Sequence, residues 1–267
     1  MTMRNIRLTL AYDGSNYVGW QIQPNGVSVQ SVVEHAIVQL TGHHSKLLAA
    51  GRTDAGVHAL GQVANFHSPS QIPVQRMLDG LQSFLPPDIV IRAVKDEDPE
   101  FHATYCAVRK SYRYLIYNGS RPDPFCRRYA LHHRGALDHQ RMDRAARVLE
   151  GTRDFRCFES HYPNKATSVR TVERCRVTRG AGWLAWGGQL GGESDPRAEA
   201  FIAIEITADG FLYNMVRAIS GTLIRVGRGQ WTETDVERIV EQQDRGQAGE
   251  TAPAHGLYLV RVDYPDS

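Results

Sequence analysis

A short segment between two strand-like stretches, Gly51–Ala59, carries the densest set of residues that could do chemistry. Asp54 stands two residues after Arg52, and glycines at positions 51 and 56 flank the pair. Because glycine tolerates positive φ and lets a ligand approach the backbone closely, the pattern predicts a carboxylate presented on a sharp turn. Such a carboxylate can act as a nucleophile or as a general base. The same pattern is also typical of an Asx turn, in which Asp54 bonds only to its own backbone.

Two other kinds of site are disfavoured by spacing. A protease-like pair of carboxylates sharing a proton needs a second turn of this type, and the chain has no other Asp-Ala-Gly, Asp-Thr-Gly or Asp-Ser-Gly. The eleven histidines lack H-E-x-x-H spacing. The four cysteines form no C-x-x-C pair, which favours reduced thiols over a zinc site; they are Cys106, Cys126, Cys157 and Cys175. We therefore expect no metal.

The positive charge of the chain is unevenly distributed. The formal net charge is +2, yet residues 105–180 hold 17 Lys and Arg against 7 Asp and Glu, a balance of +10. Arginine accounts for most of this excess, and its planar guanidinium suits phosphate and base recognition. The segment therefore resembles the footprint of a polyanion such as nucleic acid, although a solvated face with distributed charge is the alternative.

Hydrophobic periodicity predicts the elements that must position the Asp54 turn. Alternation from Ile6 to Tyr12 predicts a strand, and the apolar stripe of Val29–Leu40 predicts a helix with Ser28 as its N-cap. The same reasoning predicts strands over 47–50, 61–66, 88–94, 112–117, 169–178, 200–208 and 257–262. It predicts helices over 74–85, over 142–149, from about residue 213, and around 236–240.

These elements indicate an α+β protein of two domains with mainly antiparallel sheets flanked by helices. The polar run Lys95–Glu100 is interpreted as the boundary between an N-terminal domain, 1–100, with the Asp54 turn, and a C-terminal domain, 101–267, with the Arg-rich segment. The glycine-rich stretch 187–196 is predicted to be an exposed hairpin loop. No apolar run reaches the roughly 18 residues of a membrane helix, and the first residues lack a signal-peptide core, so we expect a cytoplasmic protein.

Several blocks of the sequence resemble one known family. Gly51–Ala59 is similar to the signature of the TruA-type tRNA pseudouridine synthases. Further similar blocks follow in family order and span residues 17 to 257; they are Tyr17–Gln23, Arg109–Tyr114, Gly210–Arg217, Gly221–Leu223, Val226–Gly229 and Thr251–Leu257. Any one block could match by chance, but together they are highly specific.

The resemblance implies an isomerase with the pseudouridine synthase fold and an active-site cleft between its two domains. Such an enzyme detaches the uracil base from its ribose, rotates it and rejoins it through carbon, without a cofactor. The target base must leave the helical stack, at an expected expense of a few kcal/mol. The resemblance further implies uridines at three successive positions of the tRNA anticodon stem and loop, no membrane association, and a homodimer.

The resemblance also implies roles for individual residues. Asp54 is the essential carboxylate, acting as nucleophile or as base on the sugar, and Arg217 keeps it ionised. Tyr112 stacks on the target base and relays a proton, although strand alternation puts it on the same face as Tyr114, so that one of the two could belong to the core. The residues assigned to substrate binding are Arg52, which takes the place of the flipped base or holds a phosphate, Leu257, which packs on the base, and Arg109.

Two departures and two alternatives remain. The 187–196 stretch resembles an insertion, and Arg153 stands where the family often has histidine. An inactive RNA-binding or RNA-chaperone module of the same fold would bind tRNA whether or not Asp54 is present. A carboxylate-dependent hydrolase would need a second acid near Asp54. His58, four residues after Asp54, is a competing candidate for proton transfer.

Overall fold

The computed structural model describes residues 3–160, 167–180 and 198–265. These residues form two compact units, one made of residues 3–110 together with 258–265, the other of Ser111–Leu257. The first unit is therefore discontinuous in sequence, whereas the sequence-based division at residue 100 treats each domain as one continuous stretch. The glycine-rich stretch 187–196 lies outside the described residues.

The first unit is a helix-covered set of mainly antiparallel strands. Its elements are β1 (Arg4–Tyr12), α1 (Val29–Thr41), β2 (Leu48–Ala49), β3 (His58–Ser68), α2 (Val74–Ser83), β4 (Ile89–Glu97) and, from Tyr258 onwards, β10 (Leu257–Asp263). The strand order is β4-β1-β3-β10, with β2 also paired to β3. β3 is antiparallel to β1 and parallel to β10, where Tyr258 aligns with His58.

The predicted alternation of β1 is confirmed. Ile6, Leu8 and Leu10 are each 0% exposed, because this face of the strand points into the core. Ser28 caps α1 as predicted: its side chain accepts from the N–H of Ser31, whose hydroxyl lies near the N–H of Ser28 in turn, which completes a capping box. These contacts satisfy backbone groups that the first turn of a helix leaves unpaired.

The polar run that the sequence analysis interprets as a domain boundary is partly strand. β4 continues through Lys95–Glu97, and these residues align with Arg7, Ile6 and Asn5 of β1. Arg4 forms an ion pair with Asp96 at 2.8 Å. These charged residues can form a strand because β4 lies at the end of the strand order, where the arginines of the neighbouring β1 pair with its acids. The amino-acid composition of the run contains no information about this pairing.

The second unit repeats this combination of helices and mainly antiparallel strands. Its elements are β5 (Arg109–Tyr117, from Ser111 onwards), β6 (Leu131–His132), α3 (His139–Arg147), β7 (Gly151–Asp154), β8 (Val169–Arg179), β9 (Phe201–Ala208), α4 (Met215–Gly227) and α5 (Glu233–Gln242). The strand order is β5-β9-β8-β7, and β6 pairs in parallel with β5. The two units confirm the predicted α+β class. No helix among the described residues is long and apolar enough to cross a membrane.

Helix α4 is the central helix of the second unit. Ala218, Ile219 and Leu223 are 0% exposed, and the backbone of the segment leading to β10 crosses the helix so closely that a Cβ at Gly221 would lie 1.8 Å from the carbonyl oxygen of Glu250. The hydroxyl of Thr222 accepts from the N–H of Gly249 at 2.9 Å. The chain entering β10 is thus fixed against α4.

Candidate active site

The backbone of the Asp54 turn is held on two sides. The N–H of Trp20 donates to the carbonyl of Thr53 at 2.9 Å, and the N–H of Val57 donates to the carbonyl of Asp54 at 3.1 Å. Gly19, with φ of +115°, forms a bridge with Asp54. A Cβ at Gly19 would lie 2.7 Å from the carbonyl oxygen of Thr53, so only glycine allows this approach. The backbone of the turn is therefore fixed by its neighbours, and Asp54 is half-buried.

Buried polar side chains form hydrogen bonds that support the Asp54 turn. Thr53 is 6% exposed, and its hydroxyl lies 2.8 Å from the hydroxyl of Tyr12. Gln62, which is 0% exposed, donates from its amide nitrogen to the carbonyl of Gly51 at 2.8 Å. Burial raises the pKa of Tyr12 to about 12, so its hydroxyl stays neutral and can donate to its partners. Sequence reasoning did not identify Tyr12 or Gln62 as supports for Asp54.

His58 is a buried residue of the same unit. It is 2% exposed, and its ring stacks on Tyr258 with 4.8 Å between centroids. Its Nδ1 lies 3.1 Å from both the backbone nitrogen of Gly14 and the carboxylate of Asp13. These contacts tie the start of β3 to the turn after β1, so the structure gives His58 a role in fixing the frame of the Asp54 turn.

Replacing His58 by alanine should lower the free energy of unfolding by about 2 kcal/mol, because the N–H of Gly14 loses a buried acceptor and Tyr258 loses a packed ring. Urea denaturation followed by fluorescence measures the change. His35 is exposed on α1, and His35→Ala is the control, expected to change stability by less than about 0.5 kcal/mol. A His58→Ala protein as stable as the control would contradict this role.

The basic candidates of the first unit occupy different places. Arg52 is exposed beside Asp54. Arg109 forms an ion pair with Asp263 at 2.9 Å. Its neighbour Lys110 also brings a positive charge close to the turn. A Cβ placed on Gly51 would lie 3.6 Å from the ammonium nitrogen of Lys110. Arg109, and not Lys110, was the residue predicted from the sequence to bind substrate. Adjacent residues of a strand point to opposite faces, so strand alternation indicates that only one of the two can face the Asp54 turn.

The second unit distinguishes the two tyrosines of β5. Tyr114 is 0% exposed, and its hydroxyl donates to the carbonyl of Pro253 at 2.9 Å, so it belongs to the core. Tyr112 is 9% exposed and meets the ring of Phe211 edge-on, with 4.9 Å between centroids. Edge-to-face contact fixes the plane of the Tyr112 ring, which is buried like that of Tyr114.

Arg217 lies on α4, and two hydrogen bonds orient its guanidinium group. Its Nε donates to the carbonyl of Ala252 at 2.6 Å, and its Nη1 donates to the side-chain oxygen of Asn214 at 2.8 Å. The N–H of Ala252 donates back to the carbonyl of Arg217 at 3.1 Å. Asn214 has φ of +62°, and its amide nitrogen donates to the hydroxyl of Ser160 at 2.8 Å. The guanidinium therefore has a defined position within the second unit.

Leu257 lies at the start of β10, directly after the segment that Arg217 holds. It is 6% exposed, which fits packing against neighbouring side chains. The preceding Gly256 leaves no room for a larger residue, because a Cβ there would lie 2.8 Å from the Tyr114 ring. Arg217 and Tyr114 thus together position the backbone that leads to Leu257.

Many arginines of the 105–180 segment are paired with carboxylates. The pairs are Arg113–Glu205, Arg141–Asp138, Arg144–Glu233, Arg147–Asp143, Arg156–Asp154 and Arg176–Glu150. Two of these acids, Glu205 and Glu233, lie outside the segment, so its balance of +10 overstates the charge available to a polyanion. The exposed Arg153, at the position that departs from the family pattern, donates to the carbonyl of Glu150 at 3.4 Å.

The four cysteines are free thiols. Burial raises the pKa of Cys126 to about 11 and that of Cys157 to about 12, and it also raises the pKa of Cys175. Because the thiolate is the reactive form, these three side chains are poor nucleophiles. Among the described residues, no cluster of three or more His, Cys, Asp or Glu side chains suited to a metal ion is present.

Comparison with known proteins gives one family. A family model described as tRNA pseudouridine synthase matches residues 9–106 and 145–265, which include Asp54, Arg217 and Leu257. The tRNA pseudouridine synthase A of Acetivibrio thermocellus is 45% identical over 262 residues, covering 98% of this chain and 100% of that protein. The protein of the same name from Moorella thermoacetica is 46% identical over 261 residues, covering 97% and 99% of the two chains.

Proposed function

This chain belongs to the tRNA pseudouridine synthase family, and we propose that it converts uridine to pseudouridine in the anticodon stem and loop of tRNA. In this reaction the bond between N1 of uracil and C1′ of ribose breaks, a bond between C5 and C1′ forms, the proton on C5 leaves, and N1 takes up a proton. Atoms balance without a cofactor. The observation that carries the proposal is the half-buried Asp54 on a turn whose backbone is fixed by hydrogen bonds, within the matched region.

The proposed roles follow from chemistry and position. Asp54 acts as nucleophile on C1′ or as base on the sugar. Arg217, whose guanidinium is held by two hydrogen bonds, is proposed to favour the ionised form of Asp54. Tyr112 is proposed to stack on the base and to move the C5 proton. Arg52, Leu257 and Arg109 are proposed to bind the substrate.

Incubation of the purified protein with unmodified tRNA tests the activity. Pseudouridine retains a carbodiimide adduct that stops primer extension, so the position of each stop identifies the modified nucleotide. Stops confined to the anticodon stem and loop are the expected result. Binding of tRNA without any stop would indicate an RNA-binding module instead, and release of free uracil would indicate a hydrolase.

The exposed arginines of the 105–180 segment are proposed to contact phosphates. Replacing Arg127, Arg128 and Arg134 together by glutamine should weaken tRNA binding and flatten its dependence on salt, by up to about one unit of slope for each lost phosphate contact. Fluorescence anisotropy at several salt concentrations measures this slope.

A matched control removes the same charge from three arginines of helix α3. Arg141, Arg144 and Arg147 lie on α3 and each bonds to a carboxylate, so their joint replacement by glutamine should change the slope less. Equal slopes for the two triple variants would mean that total charge, rather than these particular positions, governs binding.

The proposal also includes a homodimer acting in the cytosol, where tRNA substrates are processed. The dimer rests on the family resemblance. Sedimentation equilibrium gives the mass of the particle in solution, and a mass of twice 29.9 kDa is the expected value.

A further inference from the structure

The connection between β5 and α3, called the loop below although it includes the two-residue strand β6, concentrates positive charge around an exposed aromatic ring. Residues 119–136 contain four arginines, Arg121, Arg127, Arg128 and Arg134, against a single acidic residue, Asp123. Asp123 is engaged locally, because its carboxylate accepts from the N–H of Phe125 at 2.8 Å. The loop lies between the two stretches that the family model matches.

The base of this loop is firmly anchored. The amide nitrogen of Asn118 donates to the carbonyls of His133 and Gly135 at 2.9 and 2.7 Å. Arg179 donates to the side-chain oxygen of Asn118 at 3.0 Å and to the carbonyl of Leu137 at 2.9 Å. The two ends of the loop are thus held together, and the residues between them are presented on a fixed support.

The tip of the loop is a hydrogen-bonded turn with distinct inner and outer sides. Cys126 and Ala130 are buried, at 2% and 1% exposed, and the N–H of Ala130 donates to the carbonyl of Cys126 at 3.0 Å. Phe125 is 68% exposed, and Arg127 and Arg128 are also exposed. Anchoring of the inner residues therefore directs the phenyl ring and the two guanidinium groups outwards.

We propose that this turn is an RNA-binding element in which Phe125 stacks on an unpaired base of the tRNA while Arg127 and Arg128 hold the adjoining phosphates. The inference rests on the proposed tRNA substrate and adds a contact outside the Asp54 turn. An aromatic ring can stack on any base, and arginine forms bidentate contacts with phosphate, so the combination suits single-stranded nucleic acid. A partner chain would need an acidic surface to match these charges, which makes RNA the better fit.

The test compares substitutions that separate stacking from apolarity. Phe125→Ala and Phe125→Leu both remove the ring, whereas Phe125→Trp keeps a stacking surface. Because stacking is worth about 1–3 kcal/mol per base, Phe125→Ala should weaken tRNA binding by roughly 5- to 150-fold with an unchanged salt slope. Phe125→Leu should be similarly weak and Phe125→Trp close to wild type. The control is Phe84→Ala at the end of α2, where the ring is 45% exposed; its binding should equal that of the wild type.

Three further readouts make the result decisive. A duplex RNA without unpaired bases should bind the wild type and Phe125→Ala equally, because it offers no base to stack. Circular dichroism should show both proteins equally folded, as expected for an exposed side chain. Sedimentation equilibrium should give the same mass for both; a loss of the dimer in Phe125→Ala would mean that the ring contacts a second copy of the chain, which overturns the proposal.

The outcomes for this element and for the enzymatic activity are separate. If the wild type forms pseudouridine and Phe125→Ala binds tRNA as tightly as the wild type, the RNA-binding role of the loop is wrong and the enzymatic function stands. If the wild type forms no pseudouridine but Phe125→Ala loses tRNA affinity, the enzymatic proposal fails and the loop keeps its role. Equal affinities for Phe125→Leu and the wild type would also overturn stacking.

Discussion

Asp54→Asn should form no detectable pseudouridine while binding tRNA almost as tightly as the wild type. The amide has the shape of the carboxylate but cannot serve as nucleophile or base, so the single-turnover rate should fall by at least about 10³-fold. The turn itself should survive, because its backbone is fixed by Trp20 and Val57 and not by the substituted atoms alone. Primer extension after carbodiimide treatment, at saturating enzyme, measures the rate.

A second aspartate gives the matched control. The carboxylate of Asp98 accepts from the N–H of Glu100 at 2.8 Å, a purely local turn contact. Asp98→Asn should therefore leave the rate within about threefold of the wild type, since exposed polar contacts contribute little. Mass spectrometry must first show that the Asp54→Asn sample is free of deamidated protein. Turnover by such a sample would contradict the catalytic role of Asp54 and would favour the Asx-turn interpretation.

Tyr112→Phe should reduce single-turnover rates by roughly 10²–10⁴-fold without weakening tRNA binding, because the ring stays and only the hydroxyl proposed to move the proton is lost. Tyr112→Ala should in addition lose stacking worth about 1–3 kcal/mol, visible as weaker binding. The matched control is Tyr114→Phe, which removes a hydroxyl bonded to the carbonyl of Pro253. That variant should lose about 1 kcal/mol of stability and keep its rate.

The same rates decide between Tyr112 and His58. His58 is 2% exposed with its Nδ1 beside Asp13 and Gly14, so we expect His58→Ala to be less stable but to retain chemistry once it is saturated with tRNA below its melting temperature. A nearly wild-type Tyr112→Phe beside an inactive, folded His58→Ala would move the proton transfer to His58.

Local patterns predicted the elements well because the forces that form them act over a few residues. The alternation of β1 and the Ser28 cap of α1 needed only neighbours in sequence, and both are confirmed. The strand character of Lys95–Glu97 could not be predicted, because it comes from pairing with Arg7, Ile6 and Asn5, about ninety positions away. Composition alone gives those residues the character of a linker.

The candidate site shows the same division. The glycines around Asp54 predicted a tight turn, and one of them, Gly56, has a φ of +77°, which favours glycine. The residues that support the turn could not be predicted from the sequence, because Tyr12 and Gln62 become partners of the turn only when β1 and β3 pair. Charge counting had a similar limit: the acids that neutralise Arg113 and Arg144 come from distant parts of the chain.

The late pairing of β10 with β3 has a consequence for biosynthesis. A ribosome releases β3 early, yet Tyr258 and Leu259, its partners, emerge only after the whole of residues 111–257. At roughly 5–20 residues per second, that delay lasts on the order of 10–30 s. Throughout it the edge of β3 at His58 lacks its final strand, and Tyr258 is not yet there to stack on the imidazole. The frame of the Asp54 turn is thus completed only after Tyr258 and Leu259 have been synthesised, so a nascent chain carries the carboxylate proposed to be catalytic long before its supporting frame is complete.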